Sequence, residues 1–334
     1  MKRKIFLYFI ILFFCSNCHR QLKEFSETEF LMDTVCEVKI ETANSYLAEK
    51  ALKEVFSKVE EIDKKFGFSK ESEIEKINSL AGIMPYKPSK ECFELIKESI
   101  RISQKTKGAF DITVGVLSEL WGFENFSKKE DFKLPNPKKL TSCLSLVGYD
   151  KILIDEKEKS VFLKKKGMRI NLGGIAKGYA IKKAKEILEQ YGFEKFLINF
   201  GGDIYVKNKT KNPWRIAIQH PRDRNKFLTI LELYTTSCAT SGDYERFFMI
   251  NNRRYHHIFN PKSGYPKEGV VSVTILCDDP VVADALATGI FVLGEKEGIE
   301  LAEELKISCI IVSEKHNKLY IHTTKDLKNK NFDL

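Results

Sequence analysis

An α+β fold is predicted by three features of the sequence. Amphipathic helical runs and alternating strand runs succeed one another without a regular βαβ rhythm. Hydrophobic residues make up 43% of the 334 residues, enough to bury one sizeable core. Neither a Gly/Ser-rich linker nor a fixed-period repeat divides the chain. The formal charge of +9, from 55 Lys and Arg against 46 Asp and Glu, is spread along the chain without a long basic block. That pattern describes a lysine-rich solvated surface and leaves nucleic acid out of the expected partners.

The elements follow in order. A cationic "MKRK" and the apolar "IFLYFIILFF" precede "CSNCH", the pattern of a secretory signal too short to span a bilayer comfortably. Residues 1–17 are the expected signal peptide, with Cys18 the expected lipid acceptor behind small or polar Ser16 and Asn17, in a loose lipobox. A polar tether over 18–27 leads into one domain over 28–334. "TEFLMDTVCEVKIET" alternates as a strand, and 45–66 places Leu47, Ala51, Leu52, Val55, Val59 and Ile62 on one helical face. A second helix over 89–108 closes at Gly108, a strand pair lies within 151–172, and a third helix from 175 to 191 stops at Gly192. Strands are expected in 193–208, 213–221, 227–241 and 270–277, then helices over 281–294 and 296–306, with 308–314 and 318–323 closing the sheet. Cys36, Cys92, Cys143, Cys238, Cys277 and Cys309 have no CxxC spacing and sit largely in apolar runs, as buried small hydrophobes do.

Chemistry concentrates in a few polar turns. In "INLGGIAKGYA", Gly173 and Gly174 permit a sharp turn into a helix that carries Lys177 on its first turn. A cation there opposes the helix dipole, and a bound phosphate would reverse that sign by meeting backbone N–H groups and the ammonium together. The spacing is neither a P-loop nor a dinucleotide fingerprint, and a turn with a solvated lysine explains the segment equally well. In "ADALATG", Asp284 and Thr288 are four apart on a helix and offer a carboxylate and a hydroxyl to one hard cation such as Mg2+, or are simply a helix acid and a buried threonine. His257 beside an Asn-Pro turn is a proton acceptor or a structural histidine, and Asp243 in "TSGDYERF" reads most simply as a turn residue.

Taken together, "FLMDTV", "GFSKESEIEKIN", "GAFDITVGVLSELWGF", "INLGGIAKGYA", "NFGGDIY", "SGDYERF", "HHIFNPKSGYP" and "ADALATGIFVLG" occur in an order that resembles the ApbE-type FAD:protein FMN transferase family over about residues 28–323. The resemblance implies a single two-part α+β catalytic domain with mixed sheets around a central FAD cleft, often on an exported lipoprotein. It further implies that Met32, Phe68, Ala109, Phe110, Asp111, Asn171, Lys177, His257 and Ile258 line the FAD site. Mg2+ would be held by the Asp284 carboxylate, the Thr288 hydroxyl and the Gly174 backbone carbonyl. Asn171 departs from the family's "DLG" triplet; an amide serves there if the position binds a neutral group of FAD, and metal affinity falls if it supplies charge.

The implied reaction moves FMN from FAD to a Thr or Ser hydroxyl of an acceptor protein through a phosphoester and releases AMP. Lys177 and Asp284 would serve charge stabilisation, and His257, rather than its neighbour His256, would take the hydroxyl proton. Implied acceptors are subunits of Rnf-type or Na+-translocating NADH:quinone reductase complexes, met at the periplasmic face of a bacterial membrane by a lipid-anchored enzyme. A Mg2+-dependent FAD pyrophosphatase and an FAD-binding lipoprotein without turnover remain as alternatives.

Overall fold

The computed structural model describes residues 22–67, 69–124, 132–210 and 212–333. Two strands open the fold, β1 (Lys23–Leu31) and β2 (Thr34–Thr42), paired antiparallel. The expectation of one strand over 28–42 is corrected here. Met32 and Asp33, at φ 54° and 58°, form the two-residue turn of a hairpin, and the Met32 N–H is held by the Asp63 carboxylate at 3.1 Å. Strand β1 also begins at Lys23, so residues 23–27 belong to the sheet rather than to a tether.

Helix α1 (Ser45–Phe66) follows, capped by the Asn44 side chain on the Leu47 N–H at 3.1 Å. Then come α2 (Glu73–Ser79), α3 (Lys90–Lys105), α4 (Gly115–Trp121), α5 (Pro137–Leu144) and the ribbon of β3 (Ile152–Asp155) and β4 (Ser160–Leu163). Helix α6 (Ala176–Gln190) leads to β5 (Lys195–Phe200) and β6 (Asp203–Asn208), then to a separate ribbon of β7 (Trp214–Gln219) and β8 (Phe227–Leu233). After β9 (Thr236–Gly242), a hairpin of β10 (Phe247–Ile250) and β11 (Arg253–His256) precedes β12 (Val270–Cys277). Helices α7 (Pro280–Leu293) and α8 (Glu295–Glu304) and strands β13 (Ser308–Lys315) and β14 (Lys318–Thr323) complete the order.

Eight strands make one sheet in the order β1-β2-β5-β6-β9-β12-β13-β14, and its pairings are antiparallel where mixed sheets are expected. Alternate residues feed two cores. Cys36, Val38, Ile40, Ile198, Val273, Ile275 and Ile311 face α1, α6 and α7, while Leu197, Val206, Cys238, Ile310 and Val312 pack under the β7–β8 ribbon. Burial on both faces is why β12 reads as a mostly apolar run without strict alternation, broken only by the buried hydroxyls of Ser272 and Thr274. The run 227–241 divides for a related reason: β8 belongs to the covering ribbon and β9 to the sheet. A third cluster, with Trp121, Phe248, Tyr255 and Phe259, ties α4 to the β10–β11 hairpin.

Cys36, Cys92, Cys238 and Cys309 are buried, Cys143 and Cys277 are half-buried, and all six are free thiols. Among the described residues no helix is long and apolar enough to cross a membrane. The signal segment, Cys18 and Phe68 lie outside the described residues.

Candidate active site

The site is built where the start of α6 crosses α7. Ahead of α6, the Asn171 N–H donates to the Ile112 carbonyl at 2.8 Å, and the Asn171 side-chain oxygen accepts from the Gly173 N–H at 2.7 Å, closing a tight turn. Gly174 is pressed against α7: a Cβ there would stand 3.2 Å from the Thr288 hydroxyl and 3.3 Å from the Phe110 ring. One turn on, a Cβ at Gly178 would come within 2.2 Å of the Pro280 carbonyl oxygen. The bare backbone lets the Gly178 N–H donate to the Asp284 carboxylate at 2.8 Å. Asp284 is 4% exposed, and Thr288, one turn along the same face, lies 3.1 Å from the Ser241 hydroxyl. Gly174, Asp284 and Thr288 are thus neighbours in space.

Lys177 is not a solvated lysine. Its ammonium forms an ion pair with Asp203, the first residue of β6, which is 2% exposed and also accepts from the Thr240 N–H at 3.0 Å. Burial alone would lower the Lys177 ammonium; the Asp203 and Asp284 carboxylates outweigh it and hold the proton more tightly than on an ordinary lysine. The unfavourable position at a helix start therefore has an internal explanation, without any phosphate. Burial and then the Asp203 carboxylate push Asp284 up to about 7, against the opposing pull of Lys177 and the Gly178 N–H.

Such a pair of buried carboxylates beside one ammonium suits a cation. Among the described residues no group of three or more His, Cys, Asp or Glu could hold a metal. Gathered here are instead one carboxylate and two hydroxyls, hard oxygen donors of the kind Mg2+ takes, which the Gly174 carbonyl, water and substrate phosphate would complete. The residues present therefore fit the ion.

The two histidines divide cleanly. His256 is 4% exposed and uses both ring nitrogens, Nε2 donating to the Lys267 carbonyl at 2.7 Å and Nδ1 accepting from the Ile258 N–H at 3.2 Å. His257 is half-buried, and its Nδ1 lies 3.2 Å from the Arg246 carbonyl, a contact that sets the Nδ1–H tautomer and leaves the Nε2 lone pair to accept a proton. Burial, then the neighbouring His256, Arg246 and Lys177, pushes the His257 imidazole down to about 3 and keeps it neutral.

The other expected FAD residues are spread around this cluster. Met32 and Asp33 form the β1–β2 turn, tied in by an Asp33–Arg246 ion pair at 3.6 Å. Phe110 is buried beside Gly174, with half-buried Ala109 before it, and Ile258 is buried next to His257. Asp111 spends its carboxylate inside the fold, accepting from the Thr113 N–H at 2.8 Å, the Thr113 hydroxyl at 2.6 Å and the Tyr149 N–H at 2.9 Å. Asp243 is more than a turn residue, because Arg222 and Arg254 both pair with it, at 2.7 and 2.9 Å. A cavity of about 470 Å³ lies elsewhere, between Leu231, Thr236, Cys277, Lys306 and Lys330, and none of the site residues line it.

The ApbE family matches residues 32–311 of this sequence. The chain belongs to the ApbE family. A relative named FAD:protein FMN transferase, from Haemophilus influenzae, is 32% identical over 306 residues, 88% of this chain and 88% of its own. Among solved structures, the ApbE protein of Thermotoga maritima is similar at a TM-score of 0.84 and 31% identity, covering 93% of this chain and 100% of its own. The flavin transferase ApbE of Vibrio cholerae is similar at a TM-score of 0.82 and 28% identity, over 92% and 99%. For this ApbE-family chain, sequence reasoning missed Asp203, Ser241 and Arg246. Asp203 stands in the quoted "NFGGDIY" and Ser241 and Arg246 in "SGDYERF", so the motifs were the available signal for all three.

Proposed function

We infer that this chain transfers FMN from FAD to a Thr or Ser hydroxyl of an acceptor protein. The observation that carries the reading is the α6–α7 crossing at Gly178, which buries Asp284 and sets the half-buried Thr288 beside Gly174 and the Lys177–Asp203 pair. Asp284, Thr288 and the Gly174 carbonyl would hold Mg2+, which when bound neutralises pyrophosphate charge.

The chain's own residues do the rest. The half-buried His257 Nε2 accepts the proton of the incoming hydroxyl, whose oxygen bonds to the phosphorus of the FMN half as the bond to the AMP phosphate breaks. Neutral in the free protein, the imidazole gains basicity when the pyrophosphate anion arrives next to it. Lys177 supplies a fixed positive charge for the oxygens on which charge grows, and Asp203 fixes its position. AMP leaves with its phosphate, and the acceptor keeps FMN through a phosphoester.

The acceptors we propose are redox subunits of the Rnf or Na+-translocating NADH:quinone reductase type. The place of action is the periplasmic face of the membrane, with residues 1–17 exporting the chain and Cys18 carrying a lipid. The reading is tested by following FAD with Mg2+ and a candidate acceptor domain. Protein-bound flavin supports transfer, free FMN alone points to a pyrophosphatase, and unchanged FAD to a carrier.

A further inference from the structure

Asp203 stands out at the start of β6: it pairs with Phe200 of β5, and its side chain rather than its main chain meets β9, accepting the Thr240 N–H at 3.0 Å. The pairing of β6 with β9 begins one residue later, at Ile204. Asp203 is delivered by the Gly201–Gly202 turn, at φ 63° and 93°, where a Cβ on Gly201 would fall 2.3 Å from the Thr34 hydroxyl. A carboxylate buried to 2% exposure is strongly unfavourable unless its charge is matched. Its match is the Lys177 ammonium, whose field FAD would otherwise use.

The charges around that ammonium do not balance. Asp203, Asp284 and Glu245 act on Lys177; Arg224 and Arg246 act on Glu245; and Asp33 pairs with Arg246 at 3.6 Å. Above about pH 7, where Asp284 is ionised, four carboxylates therefore face three cations. A dianionic pyrophosphate approaching this cluster meets one surplus negative charge and a lysine already engaged. A divalent cation at Asp284 turns the surplus positive.

We propose that Asp203 couples FAD to the divalent cation: it engages Lys177 and keeps the metal-free cleft negative, so that each ligand binds well only with the other. The inference rests on the function proposed above and adds an order of assembly to it. Its consequence is that metal-free protein holds FAD weakly and does not trap substrate in an unreactive complex. By linkage, FAD must tighten cation binding by the same factor as the cation tightens FAD.

The test is Asp203→Asn, which keeps the side-chain volume and an oxygen for the Thr240 N–H while removing the charge. FAD binding is read from flavin fluorescence at mildly alkaline pH, in chelator and in Mg2+, before turnover. In the wild type, Mg2+ tightens FAD by roughly fivefold or more, the lower end of ordinary coupling between sites. In Asp203→Asn, FAD binds in chelator more tightly than to wild type by about that factor, and the Mg2+ effect falls to about twofold or less. A purely structural Asp203 gives the opposite result, weaker FAD in both conditions, and overturns the proposal, as does an unchanged metal-free affinity. Should the variant fail to fold, the wild type alone decides. Calorimetry of Mg2+ binding with and without FAD must show the reciprocal factor, and its absence refutes the coupling. Wild type that binds no FAD in either condition contradicts the proposed function itself.

Discussion

Gly178→Ala probes the helix crossing on which the site depends. The added Cβ would lie 2.2 Å from the Pro280 carbonyl oxygen and 2.9 Å from the Asp284 Cβ. A carbon–oxygen contact relaxes only near 3.3 Å, so α6 and α7 must part by about 1 Å, and no flexible side chain can yield instead. Alanine is the better helix former by about 1 kcal/mol, whereas overpacking costs about 1–3 kcal/mol. The two partly cancel, and stability falls by no more than about 2 kcal/mol. Function has no such compensation: the Gly178 N–H contact to Asp284 opens, and a displacement of about 1 Å in a catalytic group costs on the order of 100-fold in rate. Flavin transfer and thermal unfolding measured on the same preparation separate the effects. A folded Gly178→Ala protein with at least half the wild-type rate and an unchanged Mg2+ requirement refutes the reasoning.

His257→Ala should lower transfer by about 100- to 10,000-fold with little change in melting, whereas His256→Ala, which strips two buried hydrogen bonds, should cost about 2–3 kcal/mol of stability, read by denaturant titration. Metal-free protein should lose stability as pH rises from about 4 to about 7: Asp284, raised to about 7, keeps its proton in the folded state while the unfolded chain releases it near 3.9. Melting curves across that range should show the loss, and Mg2+ should reverse it near pH 7; equal slopes between pH 4 and 7 in Asp284→Asn and wild type contradict the assignment. Cys18→Ala should release the protein from membranes with transfer unchanged, checked by fractionation; retention would indicate an uncleaved hydrophobic anchor.

Much of the frame was legible because burial follows periodicity. The faces of α1, α6 and α7 and the doubly buried β12 announce themselves in the spacing of apolar residues. The β1–β2 hairpin did not, since Met-Asp is a poor signal for a turn at positive φ, and it is held from outside by Asp63 and Arg246. The same distinction applies to the site. Asp284 and Thr288 share a helical face and could be paired by eye, and Lys177 drew attention by opposing a helix dipole. Asp203 was opaque, because an acid after two glycines reads as a turn and its partner lies on another element. His256 and His257 could be told apart only by their hydrogen-bond partners, which sequence does not display.

The central claim is that this cluster esterifies a protein hydroxyl with FMN. Tryptic mass spectrometry of a candidate acceptor, incubated with the full chain, FAD and Mg2+, tests it directly. The account predicts one FMN phosphoester on a single Thr or Ser, absent with Asp284→Ala. An unmodified acceptor beside stoichiometric free FMN and AMP would contradict it.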